Sequence, residues 1–275
     1  MFRSFFEQNP IAVRELRRLK RKFRLAGIVM LCILALYFAT CFEFMFPSES
    51  PLSGISTVVS LLCFGLGIVG IIAASLYPSL SFLNARIYDE MLECVPLPAD
   101  VRVHGYLFSG LPIALFSCVL FLPPIVIGLY NAITYDPIGT MLSVFGAVGA
   151  LLLFSQSLAS CFLAFASCVT TKEEALTARI LLGWCLISLL IFNGGLLNII
   201  FYDPVIFCLR ISFFSLLTGL TGYFLARYHF SQTCKSFWRS VIINIIALVL
   251  CHQIFKVIIF IPRFISDALM FLLLL

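Results

Sequence analysis

The strongest constraint on this chain is a series of apolar runs, each long enough to cross a lipid bilayer, separated by short polar segments. A helix needs about 20 apolar residues to traverse the hydrocarbon core. Runs of that length occupy 25–46, 54–83, 105–130, 138–168, 178–201 and 205–226, and a weaker one begins at 241. No soluble core of this size could bury them. Soluble domains are about 45–50% apolar and about 25% charged, whereas this chain is 62% hydrophobic and 11% charged. Those proportions exclude a soluble enzyme, a nucleic-acid-binding module and a disordered regulator. The expected fold is all-α, a polytopic transmembrane helical bundle with six core spans. A C-terminal hydrophobic span or re-entrant hairpin comes after them, and an N-terminal amphipathic interfacial helix precedes them. Residues 1–24 form that cytoplasmic helix, and 25–226 the six-span domain with a loop at 84–104. Residues 227–275 then hold a cytoplasmic loop and the C-terminal span or hairpin.

Charge sets the orientation. Residues 1–24 carry eight Lys and Arg against two acids, a balance of +6, while residues 25–275 carry ten against eleven, or −1. An inside N-terminus also puts 84–104, 169–179 and 227–240 inside, which gathers fifteen of the eighteen basic residues on the cytoplasmic side. The opposite loops, 47–53, 131–137 and 202–204, hold no Lys or Arg. This is the asymmetry of the positive-inside rule. The eleven cysteines form no C-x-x-C pair and mostly lie in apolar runs, so a disulfide framework is not expected. After residue 240, His252, Gln253 and Lys256 interrupt the last apolar run, and one span or a hairpin both fit.

The foot, NPIAVRELRRLKRKFR over 9–24, reads as an amphipathic helix. Asn9 suits an N-cap and Pro10 the first helical position, where its missing N–H costs nothing. Ala12, Leu16, Leu19 and Phe23 form an apolar stripe, with Arg14, Arg17, Arg18 and Arg21 on another face. Such a helix is expected in the interface plane, arginines toward anionic headgroups. In the loop, Ile87, Tyr88, Asp89, Glu90, Met91, Leu92 and Glu93 make a short helix with acidic and apolar faces. Pro96 and Pro98 end it, and Asp100 can cap the next helix. A freely solvated loop has no use for Ile87, Met91 and Leu92, and a docking protein partner explains them.

Together these segments resemble a family. The foot is similar to the Asn-Pro-x-x-x-(Arg/Lys)-Glu-Leu-Arg opening of bacterial ABC-2-type transporter permeases, with Asn9, Pro10, Arg14, Glu15, Leu16 and Arg17 supplying the pattern. Residues 88–105 resemble that family's loop between its second and third spans. Glu90-Met91-Leu92 fills the acidic-apolar part, Pro96-Leu97 the turn and Gly105 the glycine, while Tyr88 and Tyr106 stand where Thr and Lys are usual. The resemblance implies that the foot is a connecting helix and the loop a coupling helix seated on a separate ATPase subunit. It implies pairing with a second permease copy or a paralogue, and ATP and Mg held by the ATPase. This chain then needs no cofactor, and it has no G-x-x-x-x-G-K-[ST] phosphate loop of its own. The expected location is the bacterial plasma membrane, with membrane lipids as further partners and no nucleic acid.

Polar residues within the runs are the candidates for a path. Gln156, beside Ser155, Ser157 and Ser160, favours hydrogen bonding between helices over substrate contact. Arg210 and Glu43, near the outer ends of their runs, fit snorkelling to the interface. Gly70 with Ala74, and Gly146 with Ala150, offer small faces for close helix packing. An intramembrane transferase or hydrolase, or a non-transporting assembly protein, are the alternative functions, and no Ser-His-carboxylate or paired-Asp arrangement marks the enzyme.

Overall fold

The computed structural model describes residues 9–21, 27, 53–87, 97–120, 137–192, 204–232, 236–251 and 253–254. Among the described residues every regular element is a helix and there is no strand. The helices are α1 (residues 10–21), α2 (Ser53–Ile87), α3 (Ala99–Val119) and α4 (Pro137–Ala166), then α5 (Lys172–Phe192), α6 (Pro204–Ser231) and α7 (Phe237–Cys251). Within α2, Gly65–Ile87 is long and apolar enough to cross a membrane, and so is Val148–Ala166 within α4. The helix α7 covers the first part of the interrupted C-terminal run. Residues 255–275, the rest of that run, lie outside the described residues.

Side-chain ties bring the C-terminal ends of α2, α4 and α6 together with the N-terminal ends of α3, α5 and α7. Arg179 of α5 hydrogen-bonds Asn84 of α2, and Arg227 of α6 pairs with Asp100 of α3 at 2.8 Å. Asn244 of α7 donates to the Ala164 carbonyl of α4 at 3.1 Å and to Cys168 Sγ at 3.2 Å, and its Oδ1 accepts from His229 Nε2 of α6 at 2.9 Å. Both His229 and Asn244 are fully buried. A polar pair so placed must be bonded to be tolerated, and here it fastens α7 to α4 and α6. At the same end Phe82 meets Tyr106 and Phe230 edge-on, with centroids 5.5 and 5.3 Å apart, which locks α2, α3 and α6 around one aromatic centre.

Helix contacts higher in the bundle depend on small residues. Pro78 interrupts α2 and leaves the Ala74 carbonyl without an i+4 amide donor. Gly110 of α3 fits against that carbonyl, where an added Cβ would lie 2.5 Å from the oxygen and 3.1 Å from Pro78 Cγ. Gly70 similarly takes Ser117 of α3. On the other side of α4, Ser157 and Thr218 share a hydrogen bond at 2.5 Å, and Ser160 donates to the Gly219 carbonyl at 3.0 Å. Ser155 meets Ser75 of α2 at 3.3 Å. The serines around Gln156 thus serve interhelical bonding. Gly70 and Ala74 pack within the chain, whereas nothing lies within 4 Å of a Cβ placed on Gly146.

The start of α5 is fixed by a reciprocal cap. Thr171 Oγ1 accepts from the Glu174 amide at 3.2 Å, and Glu174 Oε2 accepts from the Thr170 and Thr171 amides at 2.7 and 3.2 Å and from the Thr170 hydroxyl at 2.7 Å. Partial burial acts to raise the Glu174 carboxyl, but these hydrogen bonds outweigh it and hold the pKa below its ordinary value. A carboxylate depressed in this way contributes stability above its unfolded-chain value of about 4.3, and that contribution disappears as pH falls through the lower folded value. Thr171→Ala is expected to cost about 1 kcal/mol locally. A lower exchange protection factor at the Glu174 amide reads that loss, and protonating Glu174 in the unsubstituted protein lowers the protection factors of the Thr170 and Thr171 amides once the slower intrinsic exchange at acid pH is divided out.

The start of α3 differs from expectation. Its N-cap is Pro98, which makes no side-chain cap bond, and Asp100 lies in the first turn instead of capping it. The Asp100 carboxylate turns to Arg227, with Tyr223 donating to it at 3.4 Å. An ion pair to a neighbouring helix has displaced the local cap.

Candidate functional site at the basic end of the bundle

Asn9 performs two tasks. Its Oδ1 accepts from the Ile11 and Ala12 amides at 3.1 and 3.2 Å, satisfying two of the donors that a helix start leaves open. Its Nδ2 donates to the Val101 carbonyl of α3 at 2.8 Å. The cap of α1 is therefore also its anchor. Pro10 is exposed at the first helical position. The close approach is possible because α3 presents Gly105 here. A Cβ at that position would fall 2.6 Å from Asn9 Oδ1 and 2.7 Å from Ile11 Cβ.

One turn further, Glu15 is 1% exposed. A carboxylate that deep must be paired and hydrogen-bonded. It accepts from Arg14 Nε at 2.8 Å, from Arg18 Nη1 at 3.4 Å and from the Tyr77 hydroxyl of α2 at 3.1 Å. Arg14 continues the chain of contacts to α3. Its Nη2 donates to the Tyr106 hydroxyl at 3.3 Å, and its guanidinium stands 5.9 Å from the centroid of the same ring. Tyr106 is itself fully buried against Phe82. The result is one polar joint linking α1, α2 and α3.

The direction of α1 follows from these contacts. Asn9 meets Val101 and Gly105, Arg14 meets Tyr106, and Leu19 joins a cluster with Ala74, Ile113 and Ala114. The helix climbs alongside α3 instead of crossing it. Its buried face is Ile11, Ala12, Glu15 and Leu19, while Leu16 is half-buried and Arg17, Lys20 and Arg21 are exposed. Phe23, the end of the expected apolar stripe, lies outside the described residues. The shift of the buried face by about a residue has a physical cause. Tyr77 and Arg14 bond the Glu15 carboxylate, and Tyr106 in turn holds Arg14, so the acid can turn inward.

Other sequence-derived positions are distributed unevenly. Ile87 ends α2 and Leu97 precedes α3, and both pack partly buried on the same aromatic-centred core. Tyr88, Asp89, Glu90, Met91, Leu92, Glu93 and Pro96 lie outside the described residues, as does Glu43. Arg210 falls in the first turns of α6, at the opposite end from the joint, and its side chain is outside the description. Gln156 sits in α4 with its Nε2 buried and without a hydrogen-bond partner. Sequence reasoning missed Tyr77, Asp100, Tyr223 and Arg227 as interacting groups. The nearest signal was Tyr106, a tyrosine where the motif usually has lysine.

Among the described residues Arg86, Arg102, Lys172, Arg179, Arg227 and Arg239 lie near the end where α2, α4 and α6 finish and α3, α5 and α7 start, while the basic residues of α1 rise from it alongside α3 as far as the level of Ile113. No group of three or more His, Cys, Asp and Glu side chains among the described residues is arranged to hold a metal ion. The donors and acceptors of the joint bond one another across three helices. What it can do is mechanical. A displacement of the first turn of α3 pulls on Asn9 and Arg14, and through Glu15 on Tyr77 of α2. No family model, curated protein or solved structure matches the chain, so its assignment rests on this geometry and on the motifs.

Proposed function

We propose that this chain is the membrane-spanning permease subunit of an ABC-2-type ATP-binding cassette transporter, an exporter driven by a separate ATPase. The observation that carries the reading is the contact between its two motifs. The Asn-Pro-x-x-x-Arg-Glu-Leu-Arg segment docks, through Asn9 and Arg14, on the first turns of the helix that follows loop 84–104. Motifs with separate surface roles have no reason to share hydrogen bonds. A foot and a docking loop that must move together do.

Several features fit around that core. Alternating helix directions and a basic end match six spans with the N-terminus in the cytoplasm of a bacterial inner membrane. The ATPase contributes ATP and Mg, and a second copy of this chain or a paralogue completes the path. Acidic and apolar side chains at Asp89, Glu90, Met91, Leu92 and Glu93 form the docking contact. The test is co-purification from native membranes in mild detergent. An ATP-binding partner is expected with the unsubstituted chain and is lost, at least tenfold, with Glu90→Lys combined with Leu92→Asp. Retention of that partner by the double variant removes the coupling role from the loop.

A further inference from the structure

Three helix faces converge on a feature that the transport reading leaves unused. On α3, His104, Phe108, Leu111 and Leu115 share one stripe at helical spacing, and on α6 so do Arg227, Tyr223, Leu220 and Leu216. The lower members touch. His104 lies 5.3 Å from Tyr223 and stacks at 6.2 Å on Phe108, and the Asp100–Arg227 pair closes the space beneath them.

Above that closure the stripes are open. Leu115 is 48% exposed, Leu216 52% and Leu220 49%. Between them runs α4. Its Leu152 packs toward the α2–α3 clusters and its Ser157 bonds α6, so Gly149, Leu153 and Gln156 lie on the intervening face. Leu153 is 43% exposed, and nothing lies within 4 Å of a Cβ placed on Gly149. The glycine deepens the floor. From Phe108 to Leu115 the open part rises about 10 Å at 1.5 Å per residue.

The geometry points to a phospholipid site: one acyl chain lies in the groove between α3 and α6 over α4, with the phosphate at Arg227. The walls are aliphatic and the groove has a closed, charged lower end, a polarity that matches an amphiphile lying along the helices. Charge complementarity selects the headgroup end. Arg227 and Asp100 remain 49% and 46% exposed while paired, so the guanidinium can take a phosphate and the carboxylate can face a headgroup amine. The inference needs only membrane embedding and not the ATPase-driven reading, so either can fail without the other.

The probe is a phosphatidylethanolamine carrying a photoactivatable diazirine in one acyl chain. It is added in trace to vesicles of phosphatidylethanolamine and phosphatidylglycerol that hold the full chain without any ATPase. Labelling of peptides bearing Leu115, Leu153 and Leu216 is expected at least threefold above labelling of Ile245 and Val249, which face outward on α7. Leu153→Trp, which fills the floor, and separately Gly149→Leu, are each expected to bring the groove to the α7 level while leaving α7 labelling unchanged. That unchanged labelling also reports that the variant is folded. Arg227→Gln is expected to lower groove labelling about threefold. Equal labelling of groove and α7 in the unsubstituted chain would mean boundary lipid only and overturn the site. So would groove labelling that both Leu153→Trp and Gly149→Leu leave unchanged.

Discussion

Replacing Glu15 by alanine is expected to release α1 from the bundle, at a cost of about 3 kcal/mol, the lower end of the range for breaking a buried ion pair by removing one partner. The lower end applies because Arg18, at 34% side-chain exposure, can turn to water when its acceptor is gone. Arg14 is more confined, at 14%, and would keep its contact with Tyr106 while losing its charge partner. Glu15→Gln keeps an acceptor for Tyr77 and removes only the charge, so about 2 kcal/mol is expected, the scale of a hydrogen bond to a charged group. Thermal unfolding in detergent measures both. Amide exchange at Ile11 and Ala12 should quicken with α1 undocking, while exchange in α4 stays slow. A Glu15→Ala protein within about 0.5 kcal/mol of the parent, the scale of a surface pair, would show that the joint is a solvated surface contact.

Glycine substitutions divide sharply by position. At Gly222 a Cβ would come 2.7 Å from the Cys161 amide nitrogen and 2.8 Å from the Ser160 carbonyl carbon. Both are backbone atoms and cannot rotate away, so α4 and α6 must separate. At Gly110 the obstruction is the Ala74 carbonyl oxygen at 2.5 Å. Gly222→Leu and Gly110→Leu are therefore expected to cost about 3 kcal/mol or more, the upper range for overpacking. Separation also strands the Ser160 hydroxyl bond to Gly219. Gly146→Ala is the contrast. Nothing lies near its Cβ, and the better helix propensity of alanine should stabilise α4 by up to about 1 kcal/mol. Melting temperatures of the three variants in one detergent decide the matter, and a destabilised Gly146→Ala would place an unseen partner at that face.

Much of this arrangement is legible in the residues alone. Apolar runs and breakers locate the described helices, because a long apolar stretch with no Gly or Pro cluster favours one continuous helix. Asn9 and Pro10 announce a helix start through local chemistry, and that start is where it was expected. Pairing across helices is harder to read. Glu15 looks like one charge in a basic segment, since its partner Tyr77 on α2 is more than sixty residues away in sequence. Asp100 looks like a cap because a local acceptor suffices for one, until Arg227 supplies a stronger partner. His229 reads as a cytoplasmic histidine without a partner and is buried on Asn244. In each case the sequence carries the polar group, and only the three-dimensional packing supplies its counterpart.

The groove illustrates the same limit from the apolar side. Leucines at 115, 153, 216 and 220 are ordinary members of hydrophobic runs. Their shared exposure appears only once the helices are packed, with α3 and α6 in contact at His104 and Tyr223. The glycines are equally ambiguous. Gly70 and Gly146 carry the same small-residue spacing, yet one receives Ser117 and the other faces open space.

Coupling to an ATPase is tested most directly at Cys94, which lies in loop 84–104 one residue after Glu93. With Cys234 replaced by serine, the remaining cysteines other than Cys94 belong to apolar runs. A thiol-to-amine crosslinker applied to native inside-out vesicles should join Cys94 to a neighbour that also takes photoreactive azido-ATP, and Cys94→Ser should abolish the adduct. An adduct without the nucleotide label, or a labelled adduct that persists in Cys94→Ser, would contradict the coupling role.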